Sequence, residues 1–189
     1  MRIIAGSLKG RRLKPPTWDG LRPTSDRLRE TLFNILAPRI AGARVLDAYA
    51  GTGALGIEAL SRGALSVTFI EQDRRAQALI TENLAHCGVE NGYVIIRSPV
   101  AHAVHTLRRS PTFDPFDIVL LDPPYDPPGR RADDLEAILA AAGDVVAPTG
   151  LLVLEHARRR PAPESAGTLM RSRDVVSGDS ALAFYEVSL

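Results

Sequence analysis

Cysteine is almost missing from this sequence: Cys87 stands alone among 189 residues. A lone cysteine forms no internal disulfide and holds no metal by itself, which points to a reducing cytoplasm and to chemistry without a metal. The four histidines do not supply a metal pattern either, and His102 and His105, at i and i+3 of a helical stretch, read as surface residues. Long apolar runs are missing too. No stretch approaches the ~20 apolar residues of a membrane span, so a membrane protein is excluded. The opening segment, Met1-Arg2-Ile3-Ile4-Ala5-Gly6-Ser7-Leu8-Lys9, lacks the continuous apolar centre of a signal peptide, and none is expected. There is no internal repeat and no low-complexity tract.

What remains is an ordinary globular composition, 45% hydrophobic and 24% charged, which rules out wholesale disorder. The net charge of +1 names no partner, but its distribution does. Residues 1–44 hold ten Lys and Arg against three acids, whereas residues 45–189 hold thirteen against nineteen. A basic segment on an acidic body suggests a polyanion-binding arm joined to a separately working domain. The expected division is an arm over residues 1–20 and a domain over 21–189.

From Arg44 onward short apolar runs alternate with amphipathic stretches, the pattern of repeated βαβ units. Strands are expected at Arg44–Ala48, Val67–Glu71, Tyr93–Arg97, Asp117–Leu121 and Leu151–Glu155, and helices at Ala54–Arg62, Arg74–Cys87, Pro99–Arg109 and Ala132–Ala142. Two further β-like runs, Thr168–Asp174 and Ala181–Val187, are joined by Ser177-Gly178-Asp179 and read as an antiparallel hairpin. His156–Gly167 reads as a loop. At the front, Ile3–Ala5 and Arg11–Leu13 can pair as a basic hairpin that Pro15-Pro16 ends. Thr24-Ser25-Asp26 then opens a helix whose Leu28, Leu32, Ile35 and Leu36 share one face, and Pro38 is expected to follow it.

Two motifs carry chemistry. The first is Asp47-Ala48-Tyr49-Ala50-Gly51-Thr52-Gly53-Ala54-Leu55-Gly56, running from strand to helix, with Glu71 twenty residues beyond Gly51. Its glycines satisfy the dinucleotide pattern G-x-G-x-x-G, which alone would suit a nicotinamide or flavin enzyme. Asp47 argues against that, because a carboxylate at the end of the strand repels a pyrophosphate. It suits instead the cationic ammonium and sulfonium of S-adenosylmethionine, while Glu71 can accept from a ribose diol. The cofactor contacts are therefore expected from Asp47, Tyr49, Ala50, Gly51, Gly53, Glu71 and Gln72.

The second motif is Asp122-Pro123-Pro124-Tyr125, directly after the fourth strand. In an open α/β sheet this position borders the ligand crevice. The exocyclic amine of a base is a poor nucleophile because its lone pair is delocalised. Two acceptors, the Asp122 carboxylate and the Pro123 carbonyl, fixed by the proline pair, can bind its two hydrogens and restore electron density to nitrogen. Tyr125 can stack on the flipped base, and in-line attack on a sulfonium methyl then needs positioning and electrostatics only.

These residues resemble the Rossmann-like S-adenosylmethionine-dependent methyltransferases of the amino-methylating branch. A second resemblance covers the front: Arg2–Gly6, Lys9–Leu13, Pro15, Arg22–Glu30 and Phe33–Leu36 look like the bacterial 16S rRNA guanine-N2 methyltransferase family. It implies an α/β class I methyltransferase fold, a mostly parallel seven-stranded sheet ending in an antiparallel hairpin, with a small basic hairpin in front. It further implies S-adenosylmethionine as cofactor, with Ser98 or backbone groups after the third strand near the adenine ring, where such enzymes often carry Asp or Asn. It also implies 16S rRNA of the assembling or assembled 30S subunit as partner, a monomer and no metal. RNA contacts are expected from Arg11, Arg12, Lys14, Arg22, Arg27, Arg29 and Arg130. The runner-up within the same chemistry is a DNA adenine-N6 methyltransferase, for which 189 residues leave little room for target recognition. A nicotinamide oxidoreductase is opposed by Asp47, and an inert RNA-binding module by the complete Asp122–Tyr125 motif.

Overall fold

Near-continuous apolar runs such as Val45-Leu46 and Ile118-Val119-Leu120-Leu121 are the mark of parallel strands covered on both faces, and the fold places them so. A computed structural model describes residues 1–18, 24–124 and 132–188, the side chains of 132–134 excepted. In chain order the elements are α1 (Asp26–Ile40), β1 (Arg44–Ala48), α2 (Ala54–Ser61), β2 (Ser66–Glu71), α3 (Arg74–His86), β3 (Tyr93–Arg97) and α4 (Val100–Arg108). They continue with β4 (Phe116–Leu121), α5 (Ala132–Gly143), β5 (Val146–Ala157), β6 (Ser165–Ala166), β7 (Leu169–Ser177) and β8 (Ser180–Val187). One sheet runs in the order β3-β2-β1-β4-β5-β8-β7-β6, parallel from β3 through β5 and antiparallel beyond.

Strand alternation assigns the two cores. Val45, Ile118, Leu120 and Val153 face Phe33 of α1, Ile57 of α2 and Ile80 of α3, while Leu46, Val119, Leu121 and Leu152 face Val104 of α4 and Leu139 of α5. The chain order changes direction between β1, which feeds α2 on one face, and β4, which feeds α5 on the other. That reversal opens a crevice beyond their carboxyl ends.

Three expectations need correction. Among the described residues the sheet has eight strands, not seven, because the two-residue β6 inside the expected loop pairs with β7 (Ser165↔Met170, Ala166↔Leu169). The β5 strand is longer than expected and carries His156 and Ala157, both buried and both paired with β8. Pro38 lies within α1, not after it. Its lost N–H falls in the final turn, and burial of Ile40 rewards two more helical residues. Ser25 caps this helix, its Oγ accepting from the Leu28 N–H at 3.2 Å. Among the described residues no helix is long and apolar enough to cross a membrane.

The front hairpin closes through an Arg2↔Arg12 bridge, with the Ile3 N–H donating to the Arg11 carbonyl at 2.9 Å and the Leu13 N–H to that of Met1 at 3.1 Å. Ile3 and Leu13 are buried in the core beneath α1 and α2. Glu58 of α2, fully buried, accepts from the N–H groups of Ile4 (2.8 Å) and Ala5 (3.0 Å) and from Arg62 Nε (2.7 Å). Its carboxylate is thus the clamp between hairpin and body. Glu58→Ala leaves two amides and a nearly buried guanidinium without their acceptor. The expected loss is about 3 kcal/mol, near 10 °C in melting temperature for a chain this size, to be read by thermal unfolding. A change within 1 °C would mean that the burial of Ile3 and Leu13 and the bonds from Arg29, Ser61 and Asn83 hold the hairpin without Glu58.

Candidate active site

The crevice at the ends of β1 and β4 is a cleft of about 1120 Å³. That exceeds what one drug-sized ligand occupies (roughly 300–1,000 Å³ for common sites) and leaves space for a second group beside a cofactor. Asp47, Tyr49, Ala50 and Gly51 from the first loop, Glu71 and Gln72 from the end of β2, Ser98 after β3, and Asp122, Pro123 and Pro124 after β4 all line it. Gly53 stands behind the loop as the N-cap residue of α2, with φ +76°. Tyr125 lies outside the described residues.

The glycine loop is wound tightly. Tyr49 has φ +66°, the one positive value among the described residues that are not glycine, a conformation that costs of order 1–3 kcal/mol and is concentrated at ligand sites. Gly56 is needed for a different reason: a Cβ there would stand 2.2 Å from Cε1 of Phe69, so α2 could not lie this close to β2. Asp47 Oδ2 accepts the Gly56 N–H at 2.8 Å and ties the strand end to the helix start. Glu71 bridges the other side of the loop, Oε2 accepting from Gly51 N–H at 3.0 Å and Oε1 from Asp73 N–H at 2.8 Å. A carboxylate has about four acceptor positions, so Glu71 keeps capacity for a diol while it shapes the loop.

Burial pushes the Asp47 carboxyl up to about 8; the Gly56 N–H opposes that rise and the Glu71 charge adds to it. The wall therefore favours a cation, whose arrival restores the ionised form. Ser98 Oγ is buried without a hydrogen-bond partner among the described residues, a polar atom waiting for a ligand on this wall. The buried Asp47 carboxyl, the spare acceptor positions of Glu71 and the Ser98 hydroxyl fit the charge and hydrogen-bonding groups of S-adenosylmethionine.

At β4 the picture gains two residues. Asp122 Oδ2 is 3.0 Å from Thr24 Oγ1, and the same hydroxyl is 3.0 Å from Glu155 Oε2. Burial, then the neighbouring Glu155 charge, pushes the Asp122 carboxyl well above the usual carboxylate range; Thr24 opposes the rise and Asp47 adds to it. Sequence reasoning takes Thr24 for a helix-opening hydroxyl and passes over Glu155. The available signal for Glu155 is its place at the carboxyl end of the strand beside β4, where an acid faces the crevice. Trp18 also lines the cleft, with the Arg75 guanidinium 5.0 Å from its ring centroid.

The basic residues divide. Arg11, Arg12 and Lys14 are exposed on the hairpin, Lys14 Nζ lying 3.1 Å from Glu82, and Arg27 is exposed at the cleft wall. Arg29 corrects the expectation of an RNA contact. It is fully buried, and its Nη2 donates to the Arg2 carbonyl and to Asp26, locking α1 to the hairpin. Arg22 and Arg130 lie outside the described residues. His102 and His105 are exposed.

The family described as "Conserved hypothetical protein 95" matches residues 1–186. "Ribosomal RNA small subunit methyltransferase D" of Escherichia coli strain K12 is 39% identical over 187 residues, covering 98% of this chain and 89% of its own. The solved structure of the hypothetical protein TTHA0928 of Thermus thermophilus superposes with a TM-score of 0.81 at 32% identity, over 99% of both chains.

Proposed function

The chain belongs to the family described as "Conserved hypothetical protein 95", and from that premise we propose that it transfers a methyl group from S-adenosylmethionine to the exocyclic N2 amine of a guanine in 16S rRNA. The observation that carries this reading is the convergence of Asp122 with the Asp47–Gly51–Glu71 loop in one cleft. The name of its Escherichia coli relative supports an rRNA methyltransferase. When bound, S-adenosylmethionine supplies an electrophilic methyl on a cationic sulfur. Asp47 sets the negative potential that selects this cation, and Glu71 accepts from its ribose. Asp122 and the Pro123 carbonyl hold the two amine hydrogens and raise the electron density at nitrogen, and Asp122 receives the proton that nitrogen sheds on methylation. The partner is the 30S subunit and the working unit a cytoplasmic monomer, its hairpin gripping RNA phosphates through Arg11, Arg12 and Lys14.

The deciding experiment is tritium transfer from labelled S-adenosylmethionine to unmodified 30S subunits, to naked 16S rRNA and to double-stranded DNA, with nucleoside analysis. N2-methylguanosine from the ribosomal substrates is the expected product. N6-methyladenine from DNA would replace this reading by the adenine-N6 one.

The cofactor half is tested separately. Glu71→Ala removes the carboxylate that both shapes the loop and accepts from the diol. It should weaken S-adenosylmethionine binding by ~1.5–3 kcal/mol, the cost of hydrogen bonds to a charged group. An unchanged dissociation constant by calorimetry would withdraw Glu71 from the cofactor site.

A further inference from the structure

Thr24 Oγ1 has one hydrogen and two carboxylate neighbours, Asp122 Oδ2 and Glu155 Oε2, each at 3.0 Å. A hydroxyl donates one hydrogen bond and accepts two. If both acids were ionised, one of these contacts would be oxygen lone pair against oxygen lone pair in a buried place. The geometry is satisfied when one further proton sits on either acid: that acid donates to Thr24, and Thr24 donates to the other. We propose that Thr24 and Glu155 are positioning residues that hold one proton in common with Asp122, and that its passage to Glu155 leaves Asp122 an ionised acceptor for the substrate amine. This rests on the reading of Asp122 as the amine's acceptor.

The transfer balances within three side chains. The Asp122 carboxyl gives its proton to Thr24 Oγ1 as Thr24 gives its own to Glu155 Oε2. One negative charge moves from Glu155 to Asp122, and the hydroxyl is restored. The Thr24 bond then also orients Asp122 by occupying Oδ2, so that Oδ1 is the oxygen left to meet the amine. The contacts join positions 98 and 131 residues apart, so a segment ahead of α1 and the end of β5 both answer to the residue after β4. Among the described residues, the other charged groups lining the same cleft are Asp47 from β1, the acid that adds to the Asp122 rise, Glu71, Asp73 and Arg75 from the β2–α3 side, Arg27 of α1, and Arg159 and Asp179 beyond β5. The raised Asp122 carboxyl is consistent with a pair that keeps one proton between two acids.

The test compares E155Q, T24V, T24S and D122A with the wild type on unmodified 30S subunits, measuring kcat and KM from pH 5 to 9 and cofactor affinity by calorimetry. The amide introduced by E155Q donates to Thr24 as a protonated acid would, and the substitution takes away the charge that raises Asp122. The acid limb of the kcat profile should therefore move to lower pH by about one unit or more. T24V should lower kcat about a hundredfold, in the range expected for a misplaced proton acceptor, with KM and cofactor affinity within about threefold. T24S should restore most of the loss. An acid limb that stays in place in E155Q overturns the shared proton, and that readout decides alone should T24V fail to fold. Turnover by D122A would overturn the underlying reading of Asp122. A silent D122A with an unmoved E155Q limb overturns only the role given to Thr24 and Glu155.

Discussion

Replacing Asp122 by Ala should reduce methyl transfer about a thousandfold or more while S-adenosylmethionine affinity stays within a few-fold. The asymmetry follows from where the carboxylates stand. Asp47 and Glu71 are tied to Gly56 in the first turn of α2, to Gly51 in the loop and to Asp73 just beyond β2. Asp122 is tied to Thr24 and so to the other side of the cleft. Loss of Asp122 removes one of two acceptors for the amine hydrogens, and with it the electron density that makes nitrogen nucleophilic. Removing one preorganised group that acts on developing charge costs ~3–4 kcal/mol, and loss of the proton acceptor adds to it. Single-turnover transfer and calorimetry on the same preparation check both halves. Equal losses in rate and in cofactor affinity would mean that Asp122 belongs to the cofactor site, and the division of labour would fail.

What can be read in the chain, and what cannot, follows from the range of the forces involved. The five parallel strands and their helices are dictated locally: strands buried on both faces must be apolar along their length, as Ile118–Leu121 are. The glycine loop and the Asp-Pro-Pro segment are legible because their chemistry is written within a few residues. The fate of Arg29 is written locally too, but its charge hides it. Arg29 shares a face with Phe33, Leu36 and Ile40 at i, i+4, i+7 and i+11, all buried, beside the 28-32-35-36 stripe that the apolar residues alone define. Inside a basic segment it reads as a surface group. Its burial depends on the Arg2 carbonyl, a partner that only the docked hairpin supplies. Thr24 shows locally only as a helix-opening hydroxyl, and an acid at the end of a strand, as Glu155 is, gains meaning only once that strand is known to lie beside β4. Nothing between them in sequence announces that β5 ends beside β4 and that α1 begins over both. The β6 strand escapes for a related reason: two residues carry no periodicity, and Ser165–Ala166 become a strand only because β7 presents an edge to them.

Arg11, Arg12 and Lys14 replaced together by Ala should weaken binding to ribosomal RNA strongly at low salt and flatten its salt dependence. The hairpin has two faces with different duties. Ile3 and Leu13 turn inward and are buried, and Glu58 secures the backbone beside them. The three cations stand on the exposed side, none of them needed for that packing. Phosphate contacts displace condensed counterions, so each lost contact should reduce the log-log salt slope by about one unit, up to about three for the triple variant. The cost in affinity should shrink as salt rises, because screening removes the same contribution from the wild type. Lys14 already lies 3.1 Å from Glu82, so its contact requires breaking an exposed ion pair worth little in water, below about 1 kcal/mol. Its share of the slope should then be the smallest of the three. Affinity for S-adenosylmethionine should not change, since Asp47, Gly51 and Glu71 lie in the cleft and the three cations do not line it. Filter binding of both proteins from low to moderate salt decides. Coincident slopes would mean that the hairpin is structural only, its charges solvated, and RNA recognition would have to come from Arg27 at the cleft wall and from residues other than the hairpin.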